Sequence, residues 1–166
     1  MSGDKGGETP ARRPGTDKRA LSEAARLYAV QALFQMEAAG QSAERVIGEF
    51  QTYRIGADDD EGQHPEADHA LFSRVVGSAV TWQSRIDQAT DRGLVAKWPI
   101  DRIDPVLRAV FRAAGAELVA AKTPPRVVIT EYVRLSQSFF PEGKESRFVN
   151  AVLDHVAREL RPEAFD

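Results

Sequence analysis

Leu21, Ala25, Tyr28, Ala29, Ala32, Leu33 and Met36 return at three- and four-residue intervals, and the same rhythm reappears in the later apolar stretches of the chain. A period near 3.6 residues puts such side chains on one face of a helix, and each face made this way needs a neighbour to cover it. Gly40 follows the first stripe and can end it in the left-handed region that other residues avoid. Ser42 then offers an N-cap to a shorter helix striped by Val46, Phe50 and Tyr53. Phe72, Val75, Val76, Ala79, Trp82 and Ile86 hold helical phase for about four turns and predict one long central helix. Asp104 before Pro105 matches a cap followed by proline at the first helical position, where the missing N–H has no partner to lose. Val106, Leu107, Val110, Phe111, Ala114 and Leu118 carry that helix onward as a buried one.

The run after Pro124 and Pro125 is locally ambiguous. Val127, Val128, Ile129 and Thr130 are β-branched and favour a strand by propensity, whereas Val128, Tyr132 and Leu135, with Ile129, Val133 and Ser136, fit helical faces. A lone strand would have nothing to pair with, so helix is the expectation. The last helix is striped by Val149, Val152, Leu153, Val156 and Leu160. The expected architecture is all-α, a helical bundle of two packed three-helix halves, about 21–94 and 95–166, forming one domain with a boundary near Gly93. A flexible basic tail over residues 1–20 precedes it, rich in Gly, Pro, Thr and charge.

Charge and composition bound the functions open to such a bundle. The net charge of −3 is uneven: residues 57–69 hold six acids and no lysine or arginine, whereas residues 1–26 hold six bases against four acids. Local patches steer partners more than the total does, so a polyanionic partner stays open. No run approaches the roughly 20 apolar residues of a membrane span, and no secretory h-region follows the tail, so a cytoplasmic location is expected. The chain has no cysteine, which removes disulfides, thiolate metal sites and a cysteine nucleophile.

The residues offer little catalytic chemistry. His64, Asp68 and His69 in HPEADH lack the helical i, i+4 pairing of two histidines and read as a solvated loop, so no metal site is expected. Gly93 to Lys97 lacks the second glycine and the Ser/Thr of a phosphate loop, and His155 has no nucleophile and acid beside it in sequence. Neither an enzyme nor a cofactor is expected. What remains is the opening of the last helix, where Lys144, Arg147, Phe148 and Asn150 join point charge, guanidinium, an aromatic face and an amide. Those are parts that hold single-stranded RNA. They equally suit a core helix whose Phe148 is packed inward and whose Asn150 makes a cap or interhelical hydrogen bond.

ARLYAVQALFQME (25–37), IDRIDPVLRAVFRAAGAEL (100–118), PPRVVITEYVRLSQSF (124–139) and RFVNAVLDHVA (147–157) together resemble the NusB family of bacterial transcription antitermination factors. The resemblance implies an all-α fold of two three-helix halves. It further implies binding of boxA-type single-stranded RNA with the ribosomal protein NusE, and entry into an RNA polymerase complex with NusA and NusG, notably on ribosomal RNA operons. Carried over by position, the RNA face is implied to include Arg19, Arg26, Phe139, Lys144, Arg147 and Phe148, to which the amide chemistry of Asn150 adds a further RNA candidate, and the NusE-facing surface Phe34 and Asp104. One departure stands out: Ser22, Glu23, Ala24 and Ala25 occupy positions where many relatives carry consecutive arginines. Arg12, Arg13, Lys18 and Arg19 are the bases left to substitute. Two alternatives remain. One is a non-catalytic module like the domain that precedes ribosomal RNA cytosine methyltransferases, and the other is a helical scaffold acting through protein contacts alone.

Overall fold

The computed structural model describes residues 17–94 and 99–165. Asp17 caps the first helix, α1 (Lys18–Ala39), by accepting from the Arg19 backbone N–H, and Gly40 ends it at φ 68° with its N–H on the Met36 carbonyl. Lys18, Arg19 and Ala20 of the expected 1–20 tail are helical, because Asp17 supplies an oxygen for an N–H that the first turn leaves bare. The remainder of that tail, with Arg12 and Arg13, lies outside the described residues. Ser42 caps α2 (Ala43–Tyr53) as expected. The acidic segment that follows folds into a small antiparallel hairpin, β1 (Asp58–Asp59) against β2 (Gly62–Gln63).

The expected long central helix is broken into α3 (His69–Thr81) and α4 (Gln83–Gly93). Trp82 stands between them at φ −109°, ψ 18°, ending α3 with its N–H on the Ser78 carbonyl and starting α4 with its own carbonyl to Ile86. Ala79 and Ile86, seven residues apart, are both fully buried, so the apolar phase runs through the bend and hides it in the sequence. Trp82 itself is turned outward, 42 % exposed. The bend lets α4 leave the α1–α3 group and pack on the last part of the chain.

Asp104 caps α5 (Pro105–Ala120), its carboxylate 2.7 Å from the Val106 N–H. The β-branched run is helical, in α6 (Pro125–Phe139), and α7 (Lys144–Leu160) closes the bundle before a 3-10 turn at Pro162–Phe165. Pro125, Val128, Tyr132 and Ser136 share one buried face at the three- and four-residue spacing of a helix, with Thr130 exposed between them, and burial decides against local strand propensity. α5 is the hub, packed on α1, α3, α4, α6 and α7, and buried along its length from Leu107 to Leu118 on most sides. α4 packs on α5 and α7 more extensively than on α3. Gly115 is required at the α4–α5 crossing, since a Cβ there would stand 2.4 Å from Ile86 Cγ2. Among the described residues one apolar core joins the seven α-helices.

Candidate RNA and partner surfaces

Two faces meet along α1. At its N-terminal end Arg26 is sunk into the core, 7 % exposed, and grips Glu117 of α5 through a fork, Nε to Oε1 at 2.9 Å and Nη2 to Oε2 at 2.8 Å. Tyr132 of α6 donates its hydroxyl to the same carboxylate at 3.0 Å, and Glu131 lies 3.8 Å from Arg26. Burial acts to lower the Arg26 pKa, but hydrogen bonding and charge from Glu117 outweigh it, so the guanidinium titrates above its ordinary value. Burial, followed by the Glu117 charge, pushes the Tyr132 phenol well above its ordinary range. Among the described residues no buried side-chain nitrogen or oxygen lacks a hydrogen bond, so this ionic core is fully satisfied.

That placement corrects the expectation for Arg26. Its guanidinium braces α1 against α5 and α6 and is already engaged by Glu117, so it is not an open phosphate contact. With 7 % of its surface exposed, Arg26 also lines a cleft of about 390 Å³ between α1 and α6, together with Glu23, Leu27, Pro65, Glu131 and Arg134 among others. Its bases are matched by acids: Arg19 pairs with Glu23 at 3.4 Å, and Arg134 reaches Glu23 at 3.7 Å and Glu131 at 3.5 Å. Arg19 is exposed, yet a phosphate arriving there meets carboxylates already holding the local guanidinium groups.

The opening of α7 divides its residues between the two roles weighed for it. Phe148 is half-buried against the core, edge-on to Phe111 with ring centroids 6.0 Å apart, and Phe139 likewise packs on the core. Arg147 and Asn150 are exposed on the outer side of the same helix. Among the described residues no carboxylate pairs with Arg147, in contrast to Arg19 and Arg134. Lys144 is the first residue of α7, after Gly143 at φ 80°. Gln137 of α6 donates to Ser146 at 3.2 Å and ties the loop between the helices.

The far end of α1 presents Phe34, 41 % exposed, on a cleft of about 470 Å³ that Val80, Ala43, Pro105 and Ala109 also line. Asp104 is exposed and directly precedes Pro105. Beneath the rim Glu37 receives Arg108 and Arg112 of α5, and Arg112 also bonds Asp87 of α4 at 2.8 and 3.0 Å. The Arg108 hydrogen bond is the main reason the Glu37 carboxyl is held below its ordinary pKa. None of these four charges stood out in the sequence, because Glu37 meets Arg108 and Arg112 across separations of 71 and 75 residues.

The metal-like trio of HPEADH is not assembled. Asp68 caps α3 through the Leu71 N–H, whereas His64 turns to Asp59 of the hairpin at 3.0 Å, with Glu61 nearby. His155 binds Glu159, which Arg92 of α4 also holds. Among the described residues no helix is long and apolar enough to cross a membrane.

These surfaces can be set beside known proteins. The family model described as NusB family matches residues 23–158. Transcription antitermination protein NusB of Granulibacter bethesdensis is 47% identical over 148 residues, 86% of this chain and 90% of that protein. The protein of the same name from Maricaulis maris is 43% identical over 153 residues, covering 92% and 95%. A solved structure of T. maritima NusB superposes with a TM-score of 0.67 at 29% identity, covering 86% of this chain and 95% of that one. A crystal structure of antitermination factors NusB and NusE in complex with dsRNA gives 0.64 at 26%, covering 82% and 96%. Bundle, helix order and sequence agree over nearly the whole chain, and this protein belongs to the NusB family of transcription antitermination factors.

Proposed function

We propose that this chain binds boxA-type single-stranded RNA together with the ribosomal protein NusE and, in the cytoplasm, joins the RNA polymerase complex with NusA and NusG that suppresses termination on ribosomal RNA operons. The observation that carries this reading is the likeness, over 82% of the chain, to a NusB described with NusE in complex with dsRNA. The RNA contact centres on Arg147 and Asn150 at the mouth of α7, with Lys144 and Arg19 adding charge. Phe148 and Phe139 hold that mouth against the core. NusE covers Phe34 and Asp104 at the other end of α1. Because the bases on the α1–α6 face are already paired with carboxylates, the isolated chain binds RNA weakly, and the competent form is the complex with NusE.

Fluorescence anisotropy of a labelled boxA-type RNA, with and without NusE, at two salt concentrations tests this. The expected result is binding that NusE tightens and salt weakens, since released counterions make phosphate contacts salt-dependent. A double-stranded competitor distinguishes recognition of unpaired bases from capture of any RNA backbone. Absence of RNA binding by the folded protein in every condition overturns the proposal and leaves a scaffold that works through protein contacts.

A further inference from the structure

We infer that Arg108 is a positioning residue for the NusE-facing surface, setting Phe34 against Asp104 by clamping α1 to the loop that leads into α5. The inference rests on the proposed NusE reading of that surface. Arg108 Nε donates to Glu37 Oε2 at 2.7 Å and its Nη2 donates to Oε1, while its Nη1 donates to the carbonyls of Ile100 at 2.9 Å and Ile103 at 3.2 Å. One guanidinium thus joins two segments that are far apart in sequence. Glu37 lies one turn beyond Phe34 on α1, and Ile103 directly precedes Asp104. Arg108 is itself one turn into α5, its backbone N–H on the Asp104 carbonyl.

Arg112 completes the fixture by donating to Glu37 at 2.9 Å and to Asp87 of α4. Three helices are therefore locked beneath a cleft that Phe34 and Pro105 line, with Asp104 the residue before Pro105. The Arg108 side chain is 12 % exposed, too covered by its own partners to serve as a contact itself. Its fork is what the geometry uses: five N–H donors in one plane serve a carboxylate and two carbonyls together, whereas a lysine ammonium has three donors on one atom. A surface held ready in its binding shape loses less freedom when the partner arrives.

The test measures NusE affinity for the full chain and for Arg108→Lys, Glu37→Gln, Phe34→Ala and the Phe34→Ala/Arg108→Lys double variant, with thermal melts of each. Arg108→Lys is expected to weaken NusE roughly tenfold while RNA binding by the chain alone is unchanged, and Glu37→Gln, which keeps the side-chain shape, is expected to do the same. In the double variant the two losses combine to less than their product, because part of what Arg108 does is to place Phe34. Arg92→Ala, which breaks an ion pair to Glu159 away from the cleft, leaves NusE affinity at the wild-type value. Wild-type affinity in both Arg108→Lys and Glu37→Gln, or losses that multiply independently, overturns the inference while Phe34→Ala still reports on the surface. A wild-type chain that does not bind NusE overturns the reading of the surface and the inference with it.

Discussion

The two ends of α1 each meet arginine–glutamate contacts, and they differ in where the charge sits. Near its start the arginine belongs to α1 and is buried: Arg26 meets Glu117, which is fully covered, and Tyr132 closes the group. Near its end the glutamate belongs to α1 and the arginines come from α5, with Glu37 about a third exposed at the edge of a cleft. The buried group is a strut, since Arg26 is engaged through a two-pronged bond and its partner Glu117 is fully covered. The half-exposed group lies at a rim where the chain can meet another molecule. Arginine in a basic-looking stretch is therefore no guide to a phosphate contact until its burial is known.

The buried strut sets the largest expected effect. Glu117→Ala leaves Arg26 covered with only Glu131 at 3.8 Å, and is expected to cost about 3–5 kcal/mol in denaturant unfolding. Replacing Arg26 and Glu117 together by methionine and leucine is expected to cost far less, because no unpaired charge remains. If the single substitution proves mild, the contrast between the ends of α1 fails.

Phe148→Ala comes next, at about 2–3 kcal/mol, less than a fully enclosed ring because the side chain is only half-buried against Phe111. A chemical melt that stays unchanged while RNA affinity falls would move Phe148 from anchor to reader. Acid titration sharpens the view of the rim. Glu37 has a folded-state pKa below its ordinary value, chiefly through the Arg108 hydrogen bond. Its contribution to stability is therefore full above the ordinary glutamate pKa of ~4.3 and is lost as pH falls through the depressed folded value. Glu37→Gln is expected to flatten stability against pH in that acid window, and an unaltered profile would show that the clamp is open in solution. Arg147→Ala has the smallest effect on folding, within about 0.5 kcal/mol, and is expected to weaken RNA binding and lower the salt slope by about 1.

Much of the bundle could be read from particular residues. Gly40, Ser42 and Asp104 behaved as caps because capping depends on neighbours two to four positions away, which a sequence displays directly. The helical state of Pro125–Phe139 was legible once the lack of a strand partner was weighed against β-branching. Trp82 was not legible as a bend, because Ala79 and Ile86 keep the same phase on either side of it. The site divides similarly. The mouth of α7 was visible as a cluster, but which of Arg147, Phe148 and Asn150 faces out depends on the α5 surface carrying Phe111.

By itself, the sequence determined the all-α class, most helix boundaries and the family, since period, caps and order are properties of short segments and of their succession. Tertiary structure alone decided that Arg26 is a strut, that the bases beside the α1–α6 cleft are paired with carboxylates, and that Glu37 meets Arg108 across 71 residues. The physical reason is that the free energy of a charge depends on its burial and on the partner beside it, and both arise only when helices distant in the chain come together.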